Sequence, residues 1–344
     1  MPLLPLTLTL LPKGRGEITY KEAKMFRKAV KFLVFFFIVF MPGSPSMGAE
    51  KYPDRPIDFI CTWGVGGGAD QMARTIGKLA EKFLGAALPV SNIPGSSGNS
   101  GMANVLAAKA DGYTIVTYIA DTLGTIPAGT ARHKTSDFEW IVRTQVAQSY
   151  LFVKMDSPLK TIQDLLNYSK ENPGKLKVAA TGFGTVDDIT VRYLASKGYK
   201  MTTIPIPQPG ERYASTLGGH SEVLYEQAGD IKQYLEANQL RPLIVFSQKR
   251  FPAFPDLPCS TELGLEIALP QFRSIAAKKG VAADRIKILA EAFKKAMDTP
   301  EWKKFAQDQY LDPESYMGSD KFAAWVTSEV ETMRAFMKTF GMTK

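Results

Sequence analysis

The sequence predicts an α/β protein in two lobes, on three observations. Its 344 residues are enough for two cores of ordinary size. Short apolar, strand-like runs alternate with amphipathic helical ones, the mark of mainly parallel sheets covered by helices. Two of the strand-to-helix junctions, Trp63–Asp70 and Ala180–Thr185, are glycine-bearing loops.

In order, the strand-like runs are Ile57–Cys61, Val90–Asn92, Tyr113–Tyr118, Leu151–Val153, Leu176–Ala180, Thr202–Ile206, Glu222–Tyr225 and Leu243–Phe246. Helices are expected from Gln71, from Met102, over Ile162–Ser169 and over Ile189–Ser196. In the first, Met72, Ile76, Leu79 and Phe83 recur at helical spacing as one apolar face. The C-terminal part reads as mostly helical: Ile286, Leu289, Phe293 and Met297 share one face. Phe322, Val326, Val330, Met333 and Met337 share another, with Ser319 as the expected N-cap.

The loop Thr62-Trp63-Gly64-Val65-Gly66-Gly67-Gly68-Ala69-Asp70 carries the strongest chemistry. Glycines let other groups approach the backbone, and the helix start beyond them offers unpaired N–H groups at the positive end of the dipole. Such a junction is a socket for an anion.

The formal charge is +8, but it is unevenly spread. Residues 1–49 hold seven Lys/Arg and two Asp/Glu, leaving 35 basic and 32 acidic residues beyond them. No basic stripe follows, so nucleic-acid binding is not expected. The N-terminal excess belongs to a targeting segment. Arg27, Lys28 and Lys31 precede the apolar run Phe32–Phe40, followed by the small residues Ser46, Gly48 and Ala49. That is the order of a cleaved secretory signal, with Met25 a plausible natural start and cleavage near Gly48 or Ala49. The run is short for a membrane span. The mature chain is therefore expected in the periplasm, where Cys61 and Cys259 are read as two free thiols rather than a disulfide.

Several short motifs are ordered along the chain: Tyr52-Pro53-Asp54-Arg55-Pro56-Ile57, Gly66-Gly67-Gly68-Ala69-Asp70, Asn92-Ile93-Pro94-Gly95-Ser96-Ser97-Gly98-Asn99-Ser100-Gly101 and Ala110-Asp111-Gly112-Tyr113-Thr114. Asn172-Pro173-Gly174-Lys175-Leu176, Leu217-Gly218-Gly219, Lys249-Arg250 and the segment from Pro258 through Glu262 to Gly264 complete the set. Each is weak alone, but their order and spacing over nearly the whole mature chain are specific. In these residues the chain resembles the periplasmic substrate-binding proteins of tripartite tricarboxylate transporters, the Bug-type proteins.

The resemblance implies a flytrap of the type II periplasmic-binding-protein kind, two α/β lobes joined by two crossovers. Lobe one would be 50–147 plus 271–344, and lobe two 148–270, after the signal segment 1–49. It implies a monomer that captures a small organic acid by hinge closure and delivers it to the transporter's membrane permease subunits. The acid would be a di- or tricarboxylate, an aromatic acid or an acidic amino acid. No cofactor and no metal is implied.

Carried onto this sequence, the ligand-binding residues of the first loop would be Trp63, Gly64, Gly66, Gly67, Gly68, Ala69 and Asp70, the last read chiefly as a stabiliser of the helix start. The second junction would add Thr181, Phe183, Gly184 and Thr185. There the chain departs from the family's pattern: Asp187 and Asp188 follow, and they either neutralise the helix dipole or repel an anion. Asp121 and Thr122 follow the strand Tyr113–Tyr118, and Asp121 is a second departure. Pro209 and Gly210 belong to a loop that approaches the ligand, Glu226 and Gln227 to a strand end, and Arg273 to the second crossover, as a carboxylate partner or a hinge-surface residue. Asp121, Asp187, Asp188 and Glu226 either face solvent or line the cleft. In the cleft they would favour a ligand with a cationic or hydrogen-donating group.

Enzymatic readings find little support. His133 and His220 have no metal-ligand partners at suitable spacing, and no nucleophile elbow occurs. Gly64 and Gly66 permit a dinucleotide-type start, yet Asn92 stands where ribose recognition needs Asp or Glu. The alternative that survives at this level is a sensor whose closed form docks to a receptor kinase.

Overall fold

A computed structural model describes residues 51–342 together with Met25. The chain divides into two units, 1–51 and 52–344, and every element below belongs to the second. The targeting segment read at residues 1–49, with its cleavage site, lies outside the described residues, Met25 apart. No helix among the described residues is long and apolar enough to cross a membrane.

Two mixed sheets form the framework of a two-domain α/β fold. The strands of the first are β1 (Asp58–Cys61), β2 (Val90–Asn92), β3 (Thr114–Ile119), β4 (Phe138–Ala147), β10 (Gln271–Lys278) and β11 (Met317–Gly318), in the order β11-β4-β10-β3-β1-β2. Those of the second are β5 (Ser149–Lys154), β6 (Lys177–Ala180), β7 (Thr202–Pro205), β8 (Val223–Gln227) and β9 (Leu240–Phe246), in the order β7-β6-β8-β5-β9. Parallel pairing is confined to β1 with β2 and β3, and to β6 with β7 and β8. There each strand leads into a crossover that returns the chain in the same direction.

The expectation of mainly parallel sheets therefore describes about half of each. β4, β5, β9 and β10 pair antiparallel with their neighbours. The chain passes from one sheet to the other between β4 and β5, and back between β9 and β10. Ser149, the first residue of β5, sits opposite Gln227, the last of β8. A strand entering at that edge must run away from it, against the strands that end there. β4 and β10 went unread as strands because both are buried along nearly their full length, which removes the two-residue alternation that marks a half-buried strand.

The first sheet carries α1 (Gly68–Leu84), α2 (Asn99–Ala107), α3 (Ala120–Gly124), α8 (Ala283–Met297), α9 (Pro300–Asp308) and α10 (Ser319–Thr339); the second carries α4 (Ile162–Glu171), α5 (Val186–Ser196), α6 (Pro209–Leu217) and α7 (Lys232–Glu236). α1 packs on α8, and α10 covers β4. The buried face of α1 is Met72, Ile76, Ala80 and Leu84, joined by Ala73. Phe83 points outward, contrary to the periodic reading, because the face advances by four residues at each step. Phe322, Val326, Val330, Met333 and Met337 are all buried on α10. Its N-cap is Gly318 rather than Ser319, whose hydroxyl instead donates to the Trp140 carbonyl at 2.5 Å. Cys61 and Cys259 are both buried and free.

Candidate functional site

The βα strands of both sheets end against one polar chamber, as ligand sites in open α/β sheets do at the carboxyl ends of strands. Its walls come from Trp63, Gly67, Gly68 and Ala69 after β1, Ile119 at the end of β3 and Asp121 just after it, and Gln271 and Arg273 at the start of β10. The second sheet supplies Thr181 after β6, Pro207, Pro209 and Arg212 around the start of α6, Glu226 and Gln227 at the end of β8, and Asp230 after it. The free space between these residues is about 30 Å³, room for one or two waters.

The first helix start is held open by its neighbours. Asp70 turns back to accept from the Gly66 N–H at 3.0 Å and the Asn92 side chain at 2.9 Å, and it pairs with Arg74 at 2.9 Å. Burial alone would raise its pKa, but these bonds hold it below the usual carboxylate range. Asp70 fixes the loop from outside the chamber. Gly67 is the N-cap of α1, so the N–H groups of Gly68 and Ala69 that open the helix have no intrahelical acceptor. Gly68 must be glycine for a different reason: a Cβ there would overlap the Arg273 guanidinium and the Asp230 carboxylate.

The second helix start is already occupied by protein carboxylates. Asp187 accepts from the Thr181 N–H at 2.6 Å and the Thr181 hydroxyl at 2.5 Å. Asp188 accepts from the Gly184 N–H at 3.0 Å and pairs with Arg192 at 2.9 Å. The Val186 N–H reaches across the cleft to Asp121 at 3.0 Å. Thr185 caps α5, its hydroxyl accepting from the Asp188 N–H and donating to the Gly182 carbonyl at 2.6 Å. Asp121, Asp187, Asp188 and Glu226 are all buried, so the solvent-facing reading of these acids is corrected. Asp121 and Glu226 line the chamber, and Asp187 lies directly behind Thr181.

Charge in the chamber is paired tightly but incompletely. Arg212 meets Glu226 at 2.6 Å with both side chains nearly sealed from water. Burial alone would lower the Arg212 pKa, and the Glu226 carboxylate more than offsets it. Arg273 donates to Asp230, to Gln145 at 3.0 Å and to Gln227 at 3.1 Å. Burial raises Asp230 to about 6 in spite of Arg273, and it raises Asp121 and Asp187 as well, with Asp187 adding to the effect on Asp121. Five buried polar atoms of the lining have no partner: the donors Trp63 Nε1, Arg212 Nε and Arg273 Nε, and the acceptors Asp230 Oδ1 and Gln271 Oε1.

Of the residues expected from sequence, Trp63, Gly67, Gly68, Ala69, Asp121, Thr181, Pro209, Glu226, Gln227 and Arg273 meet in the chamber. The other eight lie outside it. Gly64 forms a packing seam against Gln208 and Pro209. Gly66 and Gly210 are exposed, and Asp70 braces the loop. Thr122 packs beside Gly98. Phe183 is exposed, its carbonyl accepting from Ser97 at 3.4 Å. Gly184 abuts Ala128, and Thr185 is a cap. Arg273 is buried, not a surface hinge residue. Sequence reasoning missed Ile119, Pro207, Arg212, Asp230 and Gln271. The loop motif Pro209–Tyr213 contains Arg212, but nothing in the spacing separates it from an exposed helical arginine. His133 is structural, held by Tyr118 at 2.9 Å and Asn99 at 3.1 Å, with burial pushing its pKa down to about 4.

A family model described as the tripartite tricarboxylate transporter family receptor matches residues 72–342. The chain belongs to this receptor family. A UPF0065 protein of Cupriavidus necator is 31% identical to the receptor over 299 residues, 86% of this chain and 90% of that protein. The periplasmic binding protein BugD superposes with a TM-score of 0.80 at 23% identity, covering 85% of this chain and 100% of the other. The Rhodopseudomonas palustris protein Rpa4515, solved with adipate, superposes at 0.79 with 21% identity, over 84% and 98%. Those superpositions establish the shared two-domain fold of a periplasmic binding protein. The family to which this receptor belongs is one of solute binders for a membrane transporter.

Proposed function

We propose that this receptor captures a small organic acid between its two lobes and delivers it to the permease subunits of a tripartite tricarboxylate transporter, after export and cleavage of residues 1–49. The observation that carries the reading is convergence. The open N-terminus of α1 and three unpartnered buried donors, on Trp63, Arg212 and Arg273, face one chamber between the sheets. A ligand carboxylate would take the N–H groups of Gly68 and Ala69 and a guanidinium edge. The adipate named with the R. palustris relative is a ligand of this chemical class.

The chamber is smaller than any dicarboxylate, so capture requires the lobes to part and close again. The two crossovers, near 147–149 and through 247–270, are the hinges in this reading, dividing lobe one (50–147 plus 271–344) from lobe two (148–270). Contacts that must break on opening are Arg273 to Asp230 and Gln227, Asp121 to Val186, and Lys232 to Asp308 at 2.7 Å. A ligand bridging both lobes would then select the closed form. Thermal shift against di- and tricarboxylates, aromatic acids and amino acids is the test. At least one organic acid is expected to raise Tm; a screen in which none does, while a sugar or an inorganic cation does, sinks the proposal.

A further inference from the structure

The chamber is richer in carboxyl groups than a receptor for a plain dianion needs. Four carboxyl groups stand in it or directly behind its wall, on Asp121, Asp187, Glu226 and Asp230, against two guanidinium groups, on Arg212 and Arg273. All six side chains are more than nine-tenths buried. Both guanidinium groups are already paired within the protein, Arg212 with Glu226 and Arg273 with Asp230. Asp121 and Asp187 instead take hydrogen bonds from neutral donors, the Val186 N–H and the N–H and hydroxyl of Thr181. The nearest cations are thus committed, and closing the lobes on a dianion would set two further carboxylates among those four carboxyl groups.

The unpartnered atoms point the same way independently of charge. Three of the five are donors and suit a carboxylate, but Asp230 Oδ1 and Gln271 Oε1 are acceptors. A fully ionised dicarboxylate accepts hydrogen bonds and donates none, so it would leave both acceptors sealed without a partner. An ammonium group brings three donors and a positive charge. A bound metal ion does not fit the same place: among the described residues no group of three His, Cys, Asp or Glu side chains is arranged to hold one.

We propose that the ligand carries an ammonium group beside its carboxylate, set between Asp121 and the free acceptors of Asp230 and Gln271, so that the receptor selects an amino acid over the unsubstituted diacid of equal length. This inference rests on the carboxylate-capture reading above. It deepens that reading by assigning the two halves of the ligand to different parts of the chamber. The carboxylate lies at the start of α1, and the ammonium lies on the side of Asp121 and Gln271.

Matched pairs test it on the purified chain by titration calorimetry at pH 7.5: succinate against aspartate, glutarate against glutamate, and adipate against 2-aminoadipate, with malate as a hydroxyl-donor control. In at least one pair the amino acid is expected to bind tenfold or more tightly than its unsubstituted partner and than malate. If the plain diacid of every binding pair comes within tenfold of its amino partner, or if malate matches aspartate, the ammonium assignment is wrong while acid capture stands. If no acid of either series binds, both readings fall together. Asp121→Asn keeps an acceptor for the Val186 N–H, and its unliganded Tm verifies the fold. It is expected to cut the amino preference at least fivefold without weakening the plain diacid. An unchanged preference removes Asp121 from the ammonium site and overturns the proposal.

Discussion

The two glycine loops that open α1 and α5 look alike in sequence and behave in opposite ways. Each follows a buried parallel strand, each leads into a helix, and each has an aspartate within the first turn. At α1 the aspartate, Asp70, bonds back to Gly66 and away to Asn92 and Arg74, leaving the N–H groups of Gly68 and Ala69 toward the chamber. At α5 two aspartates of its own first turn, and a third that follows a strand of the other sheet, take the N–H groups of Thr181, Gly184 and Val186. A helix N-terminus is therefore a potential anion site only until its own chain fills it. The pattern of strand, glycine and helix does not say which.

The strongest way to break this contrast is a methyl group at each loop. Gly68→Ala would push into the Arg273–Asp230 pair, and it is expected to lower Tm and weaken acid binding by about 10–100-fold, from an overpacking cost of about 1–3 kcal/mol. Gly182→Ala meets the Ser97 hydroxyl at 3.1 Å and little else, so its effect on affinity should stay below about threefold. Calorimetric titration of both variants checks the pair, and equal losses would erase the distinction. Next in size, replacing Asp187 and Asp188 together by Ser removes the bonds to Thr181 and Gly184 and the pairing with Arg192. Stability should fall by about 2 kcal/mol in denaturant unfolding. Tighter binding of dianions at unchanged stability would instead mean that these carboxylates act on the ligand.

The smallest expected effect is on pH dependence. Asp230 is raised from 3.8 to about 6, so between those values the folded chain holds a proton that the unfolded chain releases. Its stabilising contribution is fully present below 3.8 and is lost as pH rises through about 6. The unliganded protein should therefore gain about 2–4 °C in Tm between pH 6.5 and 4.5. Asp230→Asn should show less of that gain. A Tm that falls on acidification in both proteins would mean that Asp230 is held ionised by Arg273.

Much of the fold was legible because the βα units announce themselves. Val90–Asn92 is a strand with the expected bounds, and the other seven expected strands of the alternation appear with one or both ends shifted by one to three residues. β4 and β10 were illegible for a physical reason: they lie at the centre of the first sheet with both faces covered, where neither alternation nor a flanking turn marks them. β10 carries Arg273 and Gln271 into the chamber, so with the strand unread the choice between a carboxylate partner and a surface hinge residue stayed open for Arg273. Asp230 shows the same limit on a smaller scale. It lies in a short turn, Gly229–Ile231, with no motif around it, and acquires its role from Gly68, more than 150 positions away.

By itself the sequence determined the class of molecule: an α/β chain with glycine-bearing helix starts suited to an acid and the ordered motifs of a transporter's receptor. These are local properties, set by periodicity, turn chemistry and neighbouring charges along a few residues. The balance of charge inside the cleft was decided by tertiary structure alone. Whether Asp70, Asp187 and Asp121 answer their own helix, the opposite helix or a ligand depends on which buried groups meet when two distant sheets close. Burial then fixes the cost of every charge left without a partner.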